Sequence, residues 1–291
     1  LKKIKIKMKL IKELPTVLPF YTDIRNQNRF KENVKKKCPF QLLSPKNAFL
    51  PFIIQIPQGS PKPKTFKLIS LNGNETDLSN NIDILKAIDY EDFAYCYYKG
   101  ESLVFKFETI EQELNLTGSF YIELNIDDVI YFSEVFVMKE EITNSEFPND
   151  FIKIEFWDSK DIEPIRYRDG FKQEIYLDTF IHTSEPEIEE ETEPDGNNNL
   201  NPTFSKLVIK QKIEVLVPDF VKIALMTLPM HEEIKVFDQN KREGKIDRTK
   251  VTPTTVANGA FATLEIVFET DILTKTLCDD NKIPTNENLW I

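Results

Sequence analysis

Short apolar runs, each cut off by a turn former before a helix of ordinary length can complete, limit what this chain can fold into. Between residues 14 and 140, FLPFIIQI (49–56) stops at Pro57 and GSPKPK (59–64) reads as a loop. TFKLISL (65–71) alternates apolar and polar residues before Asn72-Gly73-Asn74, a strong turn signal. Ile82, Leu85 and Ile88 stand at helical spacing behind Ser79, a candidate cap, so one short helix is expected there. AYCYYKG, SLVFKFET, GSFYIELNI and VIYFSEVFVM then follow in succession, all rich in β-branched or aromatic residues. Their spacing predicts an antiparallel meander, and hence a sandwich or barrel.

The polar stretch KEEITNSEFPND (139–150) separates two aromatic-rich halves. The expected organisation is a basic arm (1–13), a β-rich N-terminal domain (14–140), a linker (141–150), a β-rich C-terminal domain (151–282) and a tail (283–291). In the second half FIKIEFW (151–157) alternates as a strand, and GFKQEIYLDTFIH (170–182) and FSKLVIKQKIEVLVP (204–218) are the longest strand candidates. Between them residues 183–203 form an acidic stretch without apolar periodicity, which reads as an exposed loop. Phe220, Ile223, Ala224 and Leu228 share one helical face between Pro218 and Pro229. The fold class expected is all-β and mainly antiparallel, with two sandwich- or barrel-like domains and one or two short helices.

Composition supports this and narrows the function classes. A chain of 291 residues is long enough for two domains, and 22 Phe, 9 Tyr and 2 Trp supply the apolar area that disordered chains lack. No apolar run approaches the length of a membrane-spanning helix. Residues 1–13 carry a positive charge at nearly every second position, which breaks up any signal-peptide core. Cys38, Cys96 and Cys278 are odd in number and widely spaced, so free thiols in a reducing cytoplasm are expected.

Charge is placed unevenly. Residues 1–37 hold twelve Lys/Arg against three Asp/Glu, a local +9, so the remaining 254 residues carry −20 within a net −11. Lys3, Lys5, Lys7 and Lys9 alternate with Ile4, Ile6, Met8 and Leu10, the period of a strand with one charged face. An edge strand, or an arm laid on a neighbouring copy, is favoured over nucleic-acid binding, for which only Phe20, Tyr21 and Phe30 offer interleaved aromatics. Residues 185–195 hold seven carboxylates, among them Glu187, Glu189, Glu190 and Glu191. A solvated hairpin excursion is the favoured reading. Calcium is a weaker one, because the run approaches cation-loop geometry only at Asp195-Gly196-Asn197. In a third reading the acidic stretch of one copy meets the basic arm of another.

Parts for catalysis are scarce. His182 and His231 lack neighbours at metal-ligand spacing, and no nucleophile elbow, P-loop or dinucleotide fingerprint occurs. Both histidines are read as structural, with His182 beside the acidic stretch and open to its field. Asp127-Asp128 reads as a hairpin turn rather than a glycosidase pair, and Asp279-Asp280 cannot act alone, since adjacent strand residues face opposite ways. Tyr95, Tyr97, Tyr98, Tyr131 and Trp157 suit either a core or a sugar-stacking platform. The expectation is a protein that is not an enzyme and uses no cofactor or metal.

Several segments resemble a family of structural proteins from tailed phages and prophages of Bacteroidota hosts. GSFYIELNIDDVIYFSEVFVM (118–138) is similar to the family at Phe120-Tyr121 and at Tyr131-Phe132-Ser133-Glu134-Val135-Phe136, with Asp128 in place of a Gly and Tyr131 in place of a Trp. The second half keeps the family's order: Trp157, then Tyr167-x-x-Gly170-Phe171, an acidic stretch closing in Asp195-Gly196, and a Pro218-Asp219-Phe220 helix followed by His231. The resemblance spans about residues 90–280. It implies a virion protein assembled in the host cytoplasm, in many copies, in the tail or baseplate region, with other virion proteins as partners and no membrane. Lys3, Lys5, Lys7, Lys9, Glu187, Glu189, Glu190, Glu191 and Trp157 are the candidate contact residues. The alternative function is a module that binds host glycan at the virion tip.

Overall fold

The computed structural model describes residues 15–30, 40–46, 48–57, 63–89, 93–98, 104–107, 110–113, 116–143, 150–158, 171–183, 185–194, 200–238, 243–246, 248–256 and 261–276. The fold is all-β and mainly antiparallel, in curled sandwich- or barrel-like sheets, with one short α-helix among the described residues. The chain divides into two compact units. Unit 1 is drawn from Leu1–Lys36, Gln41–Asn144 and Asp158–Gln173, and unit 2 from Lys37–Phe40, Ser145–Trp157 and Glu174–Ile291.

Unit 1 is organised around β10 (Gly118–Ile126), whose Phe120, Ile122, Leu124 and Ile126 all turn to one buried face, as strand alternation requires. On one side β10 pairs antiparallel with β4 (Thr65–Ser70), which buries Phe66 and Leu68. On the other side it pairs with β11 (Val129–Ser133) and then with β12 (Phe136–Lys139). β1 (Phe20–Tyr21) extends the sheet beside β11, and β2 (Leu43–Pro45) lies parallel to β12. Phe49 stands edge-on to Phe66 and Phe136 at 5.7 and 5.8 Å, closing the core over this sheet.

Two turns follow the sequence reading. Gly73 has φ +89, and its N–H donates to the Ser70 carbonyl at 2.9 Å, so that β4 folds back onto β5 (Glu75–Asp77). Asp127 and Asp128 are the two residues between paired Ile126 and Val129, both with positive φ (50° and 61°), the geometry of a two-residue hairpin loop.

Other expectations for unit 1 need correction. The four aromatic runs do not form one meander. β3 (Phe52–Pro57), β7 (Phe93–Tyr98) and β6 (Lys86–Asp89) make a separate sheet, and β8 (Val104–Phe107) pairs with β9 (Ile110–Glu113). VIYFSEVFVM yields two strands, because the Ser133 hydroxyl takes the Ile122 N–H at 2.8 Å and interrupts the ladder. The expected helix is a 3-10 segment, Ser79–Ile84, with Ile88 already on β6. Asp77, not Ser79, caps it, accepting from the Ser79 N–H at 2.9 Å, while the Ser79 hydroxyl accepts from the Phe66 N–H at 3.2 Å.

Unit 2 holds two sheets. The first has the order β14 (Gln173–Asp178), β13 (Phe151–Trp157), β18 (Glu233–Phe237) and β19 (Glu243–Lys245). Phe151 through Ile154 are all buried, so β13 is covered on both faces and its sequence alternation does not become a wet face and a dry one. The second sheet is built on β17 (Leu200–Pro218) and β21 (Phe261–Thr276), strands of 19 and 16 residues paired from Phe204↔Thr276 to Pro218↔Phe261. β20 (Arg248–Val256) flanks β21, and β15 (His182–Thr183) followed by β16 (Glu187–Pro194) flanks β17. The stretch expected as a loop over 183–203 is therefore largely hairpin strand. A run of glutamates has no apolar period to reveal a strand, and pairing with β17 supplies the order that its own composition lacks.

α1 (Asp219–Leu225) packs against β17 and β21. It buries Val221, Ala224 and Leu225, with Leu228 beyond its end, and leaves Ile223 exposed. The expected face of Phe220, Ile223, Ala224 and Leu228 is thus rotated by about one residue, since Val221 and Leu225 compete for the same side and reach the sheet. The basic arm, Asp195-Gly196-Asn197, Asp279-Asp280 and the tail lie outside the described residues.

Candidate assembly surface

β17 alternates apolar and charged residues. Past a bulge in its pairing with β21, Gln211, Ile213 and Val217 turn inward with Leu264, Ile266 and Phe268, while Lys210, Lys212 and Glu214 turn to the opposite face. That outer face is an ion ladder. Lys212 Nζ lies 2.8 Å from both Glu214 Oε1 and Glu265 Oε2, and Lys210 Nζ lies 2.7 Å from Glu187 Oε2 and 3.8 Å from Glu189 Oε1. The hydrogen bond to Glu187 raises the pKa of Lys210, and those to Glu214 and Glu265 raise that of Lys212. Lys212 in turn holds the Glu214 carboxyl below its usual range, with a smaller contribution from His182, which is exposed and pairs across from Lys212.

β16 forms the outer strand of this ribbon, beginning after Pro186 and ending on Pro194. Among the described residues it pairs with β17 alone. Glu187, Ile188, Glu190 and Glu191 are exposed and Glu189 is half-buried. Opposite Val208, Lys206 and Phe204, residues Glu187, Glu189 and Glu191 share one face. Ile188 and Glu190 take the other, and Ile188 is 68% exposed beside Leu207. The structure thus brings the four candidate glutamates together on one strand. Trp157, half-buried at the end of β13 opposite Glu233, belongs to a different sheet. Lys3, Lys5, Lys7 and Lys9 lie outside the described residues. The sequence reading missed Lys210, Lys212 and Glu265 as partners, although the Lys-x-Lys-x-Glu spacing of β17 was a signal that Lys210, Lys212 and Glu214 share a face; Glu265 comes from β21, opposite Glu214.

A second charged cluster in unit 2 is buried. Lys153 Nζ lies 2.6 Å from Glu155 Oε1 and 3.0 Å from Glu174 Oε2, with the rings of Tyr176 and Phe237 at 5.5 and 5.8 Å. Burial opposes the Lys153 ammonium, but Glu174, Tyr176 and Glu155 outweigh it and carry its pKa above the ordinary lysine value. Burial likewise pushes the Tyr176 hydroxyl up. In unit 1 the buried Glu134 carboxylate accepts from the Asn28 N–H at 3.0 and 3.1 Å, from the Asn28 side-chain amide at 3.1 Å and from the Val135 N–H at 3.1 Å. Ser133-Glu134 therefore anchors the segment around Asn28 to the end of β11.

His231 is structural in its contacts. The Thr227 hydroxyl donates to the Ala224 carbonyl at 2.7 Å, which leaves Nε2 of His231 to donate to that hydroxyl at 3.1 Å, with the ring 5.0 Å from Phe156. Among the described residues no group of three or more His, Cys, Asp or Glu is placed to hold a metal ion, and no helix is long and apolar enough to cross a membrane. No protein-family model, curated protein or solved structure matches the chain.

Proposed function

We propose that the chain is a structural protein of a tailed-phage particle, present in many copies in the tail or baseplate region, whose charged edges make the contacts between subunits. The observation that carries this reading is the exposed, acidic edge strand β16 in a chain whose basic excess is gathered in residues 1–37. Opposite charges segregated on one chain favour ordered association with further copies of that chain, giving orientation and on-rate. Buried aromatic cores and ion-laddered strands suit a part that is held in place.

Antibody labelling of purified particles by electron microscopy tests the reading. Label at a fixed site on the tail, at many copies per particle, is the expected result. Deleting residues 1–13 is expected to leave a folded chain that enters particles poorly. Particles that never contain the chain, or an arm-deleted chain that enters them normally, would overturn it. A chain absent from the tail body but retained on host polysaccharide would favour the glycan-binding alternative.

A further inference from the structure

We propose that the open edge of β16 is completed by residues 3–10 of a second copy, which add to it as a further strand. This rests on the assembly reading above and names the contact. An edge strand presents unpaired backbone N–H and C=O groups, and another chain's extended segment is their natural occupant. Among the described residues nothing pairs with the outer side of β16.

Two independent patterns select the occupant. On β16 the glutamates 187, 189 and 191 share one face, and the other face carries Ile188, exposed beside Leu207, with Glu190. In residues 3–10 the lysines 3, 5, 7 and 9 alternate in sequence with Ile4, Ile6, Met8 and Leu10, so an added strand would carry the lysines on one face and the apolar row on the other. Because strand side chains alternate with period two, any register that sets lysines beside the glutamates also sets the apolar row beside Ile188. A slip by one residue sets the apolar row beside Glu187, Glu189 and Glu191 and leaves the lysines Glu190 alone as an acidic neighbour on the Ile188 face. The lengths agree as well, since β16 (Glu187–Pro194) spans eight residues and the alternating segment spans eight. Lysines on a lone edge prevent pairing between identical edges, whereas lysines facing glutamates direct it.

Sedimentation velocity of the full chain across concentration, at about 0.05 M and about 1 M salt, tests the contact together with amide exchange over residues 187–192. Concentration-dependent association, weakened about tenfold or more by salt, is expected, with the amides of 187–192 that point away from β17 slowed only in the associated form. Reversing Lys3, Lys5, Lys7 and Lys9 to Glu is expected to abolish association. Adding Glu187→Lys and Glu189→Lys to that variant is expected to restore it to within about threefold, a recovery that a merely misfolded variant would not show. Ile188→Asp, which leaves the lysine-facing charges in place, is expected to weaken association about tenfold. A chain monomeric at every concentration, protection in the monomer of those amides of 187–192 that point away from β17, or no recovery on double reversal would each overturn the strand contact. A monomer that still enters particles would do so while sparing the structural-protein reading. Salt-sensitive association of a chain missing from particles would do the reverse.

Discussion

Lys153 and Lys212 are each flanked by two glutamates at hydrogen-bonding distance, yet the two triplets do opposite work. The Lys153 side chain is 9% exposed and its partners 18% and 14%, whereas Lys212 is 41% exposed and its partners 57% and 43%. In the buried triplet water cannot replace a lost partner, so each charge holds the others in place. In the exposed one water and salt compete for every contact, so the ladder tunes the surface and adds little to the fold. Burial, rather than the identity of the residues, separates an anchor from a solvated charged face.

The largest expected effect breaks the buried triplet. Lys153→Met leaves two carboxylates without a cation and is expected to cost about 3–5 kcal/mol in urea unfolding of the whole chain. The triple change K153M/E155L/E174L is expected to cost less than the single one, because no charge is left stranded. The Lys153 pKa is raised on folding, so its contribution is complete below the ordinary 10.5 and is lost only as pH rises through the folded value.

Glu134 sharpens the contrast, as a buried carboxylate held mainly by amide N–H groups. Glu134→Ala strands the Asn28 and Val135 donors and is expected to cost about 2–3 kcal/mol, measured in the same way. Slower amide exchange around Asn28 in the parent than in the variant would locate the loss.

At the Asp127-Asp128 loop the order of effects inverts. Asp128→Gly removes the exposed 2.8 Å pair with Lys64, but it relieves a left-handed backbone at a position that prefers glycine. A gain of about 0.5–1 kcal/mol in the unfolding midpoint analysis is expected. A loss would mean that the surface pair outweighs the strain.

The smallest effect belongs to the exposed ladder. Lys212→Gln is expected to leave the neutral-pH midpoint unchanged within error. Glu214 has a pKa lowered by Lys212, so its contribution is present above the ordinary 4.5 and fades as pH falls through the lowered value. Glu214→Gln is therefore expected to flatten the acid limb of the stability curve and nothing else. A large neutral-pH loss in either variant would erase the distinction between the two triplets.

How much of this was legible beforehand depended on the signal each element leaves. Asn72-Gly73-Asn74 and Asp127-Asp128 were readable because turn chemistry is local. β10, β13 and β17 were readable because their apolar residues keep period two. β16 was not, since five glutamates in seven residues carry no periodicity and gain order only from the strand beside them. The buried Lys153 was equally hidden. Its sequence context, FIKIEFW, is that of a strand with one wet face, and only coverage of that second face turns the lysine inward.

For the candidate surface, the sequence determined the segregation of charge, the alternation of lysine and apolar residues in 3–10, and the glutamate density at 185–195. Tertiary structure decided that the glutamates lie on an edge strand, that Lys210 pairs with two of them while Lys212 pairs with Glu214 and Glu265, and that Trp157 belongs to another sheet. Periodicity and charge are properties of neighbours along the chain. Which strand becomes an edge, and which lysine loses its water, depend on pairing and coverage between residues far apart in sequence.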